Sequence, residues 1–282
     1  MIDIIGAIGG TAVYAIIVGT LVGCSTINPQ QKLTLFVTAA IWGGLMVAIA
    51  ALGGFAPGSA GPIALPVFAF ALFLAMLWAA WSRFRHALIA LPMPMLIALN
   101  TARIGGVLFL LLAAQGRLSD PFAASAGWGD ILTGLLAIPI AFMARRRENF
   151  AAPLKLWNAF GALDLAVAIS LGALSAPGTP FRVFTEGPGT LAMTQLPWIM
   201  VAAMLVPLFL LIHLTIGTKL SSAQPSTQHA GVRNGFHQPR RTAHDNACCK
   251  WTSAHNREGF SLAVDLRSSA ASDMGRSRAR IP

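Results

Sequence analysis

The sequence predicts an all-α, polytopic helical membrane protein of about seven transmembrane helices with a disordered C-terminal tail. Three observations carry that expectation. Hydrophobic residues make up 55% of the 282 residues and charged ones 11%, against roughly a quarter charged in a soluble globular domain. So few charges cannot cover a soluble fold of this size. The apolar residues also fall in runs near the ~20 residues that a bilayer core requires. Finally, basic residues collect in short connections between alternate runs, as in the cytoplasmic loops of membrane proteins.

Seven apolar segments stand out, at about 4–23, 33–52, 64–81, 95–114, 127–144, 156–174 and 196–216. At about 1.5 Å per residue each spans roughly 27–32 Å. Turn-rich stretches part them: Ser25 to Pro29, the Gly/Pro-rich 53–62, and SAPGTP at 175–180. Residues 87–94 (ALIALPMP) are apolar but too short to cross, and Pro92 and Pro94 disrupt a continuous helix. They read as an interfacial lead-in to the fourth span. Residues 1–218 then form one transmembrane bundle, and 219–282 a disordered, basic, cytoplasmic tail. From Ser221 the chain is rich in Ser, Arg, His, Asn and Gln with no sustained period. An extension from a frameshift or misplaced stop would look the same.

Charge sets the expected orientation. Lys32, Arg83, Arg85, Arg145, Arg146, Arg147 and Lys155 fall on one side of the spans. Arg117 and Arg182 fall on the other, with Asp3, Asp120 and Glu186. The positive-inside rule puts the first group in the cytoplasm, so a cytoplasmic-type cell membrane would hold the N-terminus outside and the C-terminus inside. The net charge of +10 is not a nucleic-acid footprint, because no helix or loop clusters basic with aromatic residues. Membrane lipid is the expected partner; a small-molecule substrate and a homo- or hetero-oligomer stay open.

The three cysteines build no disulfide framework. Leu21-Val22-Gly23-Cys24 looks like the lipobox of bacterial lipoproteins, but MIDII lacks a positive n-region and export of Cys24 would reverse the charge pattern. Gly19 and Gly23 form a GxxxG pair suited to close helix packing. Cys248 and Cys249, with His244 and His255 nearby, match no zinc spacing. No HExxH, P-loop or GxSxG occurs, and no paired mid-span histidines to ligate haem. Neither a cofactor nor a metal is expected, no catalytic residue is assigned, and an enzyme is the less favoured class. Gly127-x-x-Asp130 and Gly161-x-x-Asp164 repeat after 34 residues, a match too short to imply repeat architecture. Most tryptophans lie near span ends, where indoles favour the interface.

The informative residues are the polar ones inside the spans: Asn100 and Arg103 on the fourth, Asp130 on the fifth, Asn158 and Asp164 on the sixth, His213 on the seventh. A charge at the bilayer centre costs about 2.5–3.5 kcal/mol on the translocon scale, so such residues face the bundle interior and pair. Arg103 and Asp164 each lie eight residues from the basic end of their spans, about 12 Å deep, which makes them the natural ion pair. Asp130, three residues inside its span, about 5 Å deep, belongs to an outer-leaflet layer with Gln115, Arg117, Glu186 and Gln195, although an outstretched Arg103 also comes within reach of it. Asn100, Arg103 and Gly106 share one side of the fourth span; Asn158, Gly161 and Asp164 line the sixth; Gly127, Asp130 and Gly134 line the fifth. A tight, polar-cored trio of spans four to six is the result. His213 reads as an inner-interface residue rather than a proton relay. Pro139 and Pro207 read as tolerated membrane prolines, with a gating hinge as the alternative.

Three functional classes remain. The first is a small-solute or proton-linked transporter built on the Arg103/Asp164 centre, since buried ions often line substrate or proton paths. The second is a structural or assembly subunit of a membrane complex, in which the polar residues only bind helices together. The third is an enzyme acting on a lipid-like substrate at the outer face through Asp130, Arg117 and Glu186.

Overall fold

The computed structural model describes residues 1–56, 64–145 and 151–222. Arg146, Arg147 and the tail with Cys248 and Cys249 lie outside the described residues. The chain is all-α, with no strand among the described residues. Its helices are α1 (Ile2–Gly23), α2 (Pro29–Ala51), α3 (Ala64–Ala80), α4 (Ser82–Ala90), α5 (Met93–Ala114), α6 (Phe122–Ala144), α7 (Ala151–Leu174) and α8 (Val201–Ser222). Six are long and apolar enough to cross a membrane, or seven if the bent pair of α3 and α4 counts as one span.

Local chemistry explains where these helices begin and bend. Asn28 caps α2 by accepting from the Gln31 amide at 2.8 Å, and Pro29 starts the first turn, where its missing N–H has no partner to lose. At Trp81 the backbone leaves the helical region (φ −103°, ψ 87°) and the chain turns by 94° into α4. Arg85 reaches back from α4 to the carbonyls of Trp78 and Ala79 at 3.4 and 3.5 Å, capping the end of α3. The ALIALPMP stretch divides at Leu91. Its first half closes α4, and Pro94 sits in the opening turn of α5. Lys219 of α8 donates to the carbonyls of Ile89 and Leu91, tying the end of α4 to the bundle.

Two helices depart from regular α geometry. In α5, residues Asn100–Gly106 form a 3-10 segment. In α8, the first turn, Val201–Leu205, is a π turn, and Pro207 follows it. Pro207 has no N–H for the carbonyl four residues back. That carbonyl, of Ala203, accepts from the Trp42 indole at 3.1 Å instead, so α2 repairs the gap.

α6 packs between α5 and α7, and α8 packs against α7 and α3. Ile97, Leu96, Ile212 and Ile216 are fully buried at these contacts, whereas Ile8, Ile41, Leu72, Leu132 and Leu163 point outward and exposed. An apolar exterior around an apolar core suits a bundle solvated by lipid. Gly19 and Gly23 have nothing within 4 Å of where a Cβ would stand, so the expected GxxxG packing is not made among the described residues. At the end where α1 stops and α2 starts, the described charges outside the helix interiors are all basic: Lys32, Arg83, Arg85, Arg145, Lys155 and Lys219. The opposite end mixes Asp3, Asp120 and Glu186 with Arg117 and Arg182.

Candidate functional site

The site begins with the pitch of α5. At three residues per turn, side chains at i and i+3 line up in a single row, and Asn100, Arg103 and Gly106 form such a row, all buried. The row faces α6. A Cβ on Gly106 would stand 2.5 Å from the Asp130 Cβ and 2.8 Å from the Gly127 carbonyl oxygen, and one on Gly134 would stand 2.6 Å from the Ile104 amide nitrogen. Only glycine permits the two backbones to run this close. The long Arg103 side chain is thus confined between α6, α7 and α8, with none of it exposed.

Every nitrogen of its guanidinium is engaged. Nε donates to Asp130 Oδ1 at 2.6 Å. One terminal nitrogen donates to Asp164 Oδ2. The other donates to the Gly161 carbonyl at 3.0 Å and meets His213 Nε2 at 3.1 Å. The Phe209 ring lies 5.8 Å from Cζ, within cation–π range. Because a guanidinium only donates, His213 Nε2 must accept, which leaves the imidazole proton on Nδ1. That nitrogen lies 2.9 Å from Asn158 Oδ1, and Asn158 returns a bond from Nδ2 to the His213 carbonyl at 3.2 Å. Trp157 packs on the imidazole at 5.5 Å between centroids and donates to the Thr133 carbonyl at 3.1 Å.

Small residues make room for each contact. A Cβ on Gly161 would fall 2.5 Å from His213 Cε1, and one on Gly129 would collide with the Asp164 carboxylate. Toward the basic end, Asn100 donates to the Leu96 carbonyl at 3.2 Å, while its Oδ1 and the Thr133 hydroxyl are buried with no hydrogen-bond partner among the described residues.

The geometry brings Arg103 and Asp164 together and adds Asn158 through His213. Asp130 joins the same cluster rather than a separate outer layer. The helix explains why: α6 starts at Phe122, so Asp130 lies eight residues in, about 12 Å deep, not three. Arg117 turns instead to Asp3, at 3.0 Å, and the Trp198 indole donates to the same carboxylate at 2.7 Å. Gln115, Glu186 and Gln195 are exposed and make no side-chain bond to Asp130 among the described residues. The outer trio of Asp130, Arg117 and Glu186 is therefore not assembled.

His213 is the residue that sequence reasoning undervalued. It is 2% exposed and stands twelve residues into the 22-residue α8, at mid-helix rather than at an interface. The signal was Lys219: a helix running as far as that lysine leaves His213 six residues, nearly two turns, from its end.

Two carboxylates surround one guanidinium, and the hydrogen bonds of His213 suit a neutral imidazole, so with both carboxylates ionised the cluster carries one excess negative charge. Buried charge is tolerated when paired and hydrogen-bonded; the excess leaves room for one more positive charge. A cleft of about 730 Å³, counted to its open mouth, leads to the cluster between α3, α6, α7 and α8, with Asp130 in its wall. Among the described residues no three His, Cys, Asp or Glu side chains are grouped to hold a metal ion.

A family model described as a domain of unknown function (DUF8737) matches residues 60–220, which takes in every member of the cluster. No curated protein and no solved structure matches the chain.

Proposed function

We propose that this chain, which belongs to the DUF8737 family, is a small membrane carrier. Its Arg103–Asp130–Asp164–His213 cluster takes up and releases one positive charge, a proton, as solute moves. The observation that carries the reading is the charge count: two carboxylates on one guanidinium at mid-bundle, reached by an open cleft on one side. A purely structural ion pair needs one carboxylate and no cleft. On the other side, the unpartnered Asn100 Oδ1 and Thr133 hydroxyl continue the polar file toward the basic end. By the positive-inside rule that end is cytoplasmic, so the cleft faces outward.

Everted vesicles containing the chain test this. They are energised to build a proton gradient, and a pH-sensitive dye reports its collapse as solutes are added class by class. At least one class should dissipate the gradient in wild-type vesicles but not in D164N vesicles with equal inserted protein. Identical dye traces for both proteins with every class would overturn the carrier reading.

A further inference from the structure

The cleft beside the cluster has a composition that specifies a ligand. Among the described residues, Asp130 and Thr190 supply the only polar side chains in its wall. The Thr190 hydroxyl is already committed to the Gly172 carbonyl at 3.2 Å, which leaves Asp130. Of that carboxylate, Oδ1 binds Arg103, and the side chain keeps 17% of its surface exposed although Arg103 beside it has none. The space itself comes from missing side chains: Ala126, Ala168, Gly172, Ala173 and Ala202 line it where larger residues would fill it. Phe68, exposed at the rim, gives the mouth an apolar lip. Its cavity volume is about 90 Å³, and the rest of the roughly 730 Å³ opens outward at the mouth, so a drug-sized molecule would seat only one end of its body inside.

We infer that this cleft is a binding site for an amphipathic organic cation, with one end of its apolar body among the alanines and its positive charge against Asp130. With Asp130 and Asp164 both ionised, the excess negative charge of the cluster selects the sign. An anion would meet two carboxylates whose one guanidinium is already engaged, and a neutral body would leave the cluster's charge unbalanced. A charge pair in so apolar a site contributes about tenfold or more in affinity. The inference rests on the carrier reading only for the transport step that comes after binding; the binding itself is separately measurable.

The probe is tetraphenylphosphonium, measured by equilibrium dialysis against the full chain in lipid nanodiscs, with tetraphenylborate as an anion of the same shape. Wild-type protein should bind the cation saturably and the anion at least about tenfold more weakly. Ala168→Phe, which fills the cleft without touching the charges, and Asp130→Asn should each lower cation affinity by about tenfold or more. Equal binding of the two ions, no saturable cation binding, or binding indifferent to Ala168→Phe would overturn the inference. The two ions are compared on wild-type protein, so the result does not depend on a variant folding. Absent cation binding with a D164N-sensitive proton response would remove this ligand and leave the carrier; saturable binding with no such response would do the reverse.

Discussion

Gly105 and Gly106 are neighbours in the 3-10 segment of α5, yet substituting each with alanine should have opposite effects. At Gly105 a Cβ meets nothing within 4 Å, so alanine gains only helix propensity, about 0.8–1 kcal/mol over glycine. At Gly106 the same methyl stands 2.5 Å from the Asp130 Cβ and 2.8 Å from the Gly127 carbonyl oxygen. Neither obstacle is the free end of a flexible side chain, so α5 and α6 must part. Overpacking of this kind costs about 1–3 kcal/mol, and with a backbone atom as the obstacle the upper half of that range applies. Less the propensity gain, Gly106→Ala should destabilise by about 1–2 kcal/mol and Gly105→Ala stabilise by up to about 1. The two neighbours should therefore differ by about 2–3 kcal/mol. Unfolding titrations with a denaturing detergent in mixed micelles measure both. If the variants agree within about 0.5 kcal/mol, the close approach of α5 to α6 is wrong, and with it the confinement of Arg103.

The same geometry sets other outcomes. Arg103→Gln strands two carboxylates, and losing one partner of a buried pair costs about 3–5 kcal/mol; the R103D/D164R swap should recover little of it, because Arg103 also serves Asp130, Gly161 and His213, and thermal denaturation in detergent reads both. Lys219→Ala removes the two bonds to Ile89 and Leu91, and amide hydrogen exchange should quicken roughly five- to tenfold in α4 while α6 is unchanged. Cys24, exposed and with a free thiol, lies at the basic end. In a Cys248→Ser, Cys249→Ser background on intact cells it should react with a membrane-permeant maleimide and not with an impermeant one, and labelling by both would reverse the orientation.

The apolar spans were legible because bilayer thickness imposes a length that composition alone reveals. Arg103 and Asp164 were legible as partners from their equal distance to the edges of the apolar windows, although the helices themselves begin earlier and place Arg103 ten residues into α5 and Asp164 thirteen into α7. Asp130 and His213 escaped that logic because the ends of α6 and α8 lie outside the apolar windows. After Phe122, α6 begins with the small residues Ala123, Ala124 and Ser125, and α8 carries Lys219 within its last turn. An end misplaced by five residues shifts a depth by about 7.5 Å, enough to move a carboxylate out of one layer and into another. The row of Asn100, Arg103 and Gly106 was visible as a three-residue period, but its meaning as a tighter helix was not. Nothing in NTARIGG forbids the α form; the close packing on α6 selects the other. The break at Trp81 was legible as the end of the third apolar segment, but the helix Ser82–Ala90 that follows it was not.

The tighter winding of Asn100–Gly106 also stretches the helix like a drawn spring. Seven residues at about 2.0 Å rise and 120° each stand about 3.5 Å taller, and are twisted about 140° further, than the same seven in α form. Any event that relaxed this stretch would draw Val107–Ala114 toward the basic end and turn it as a screw, with Arg103 halfway along the thread. Its two carboxylates sit on other helices and would stay behind. Releasing the guanidinium and rotating half of the helix are, mechanically, one movement.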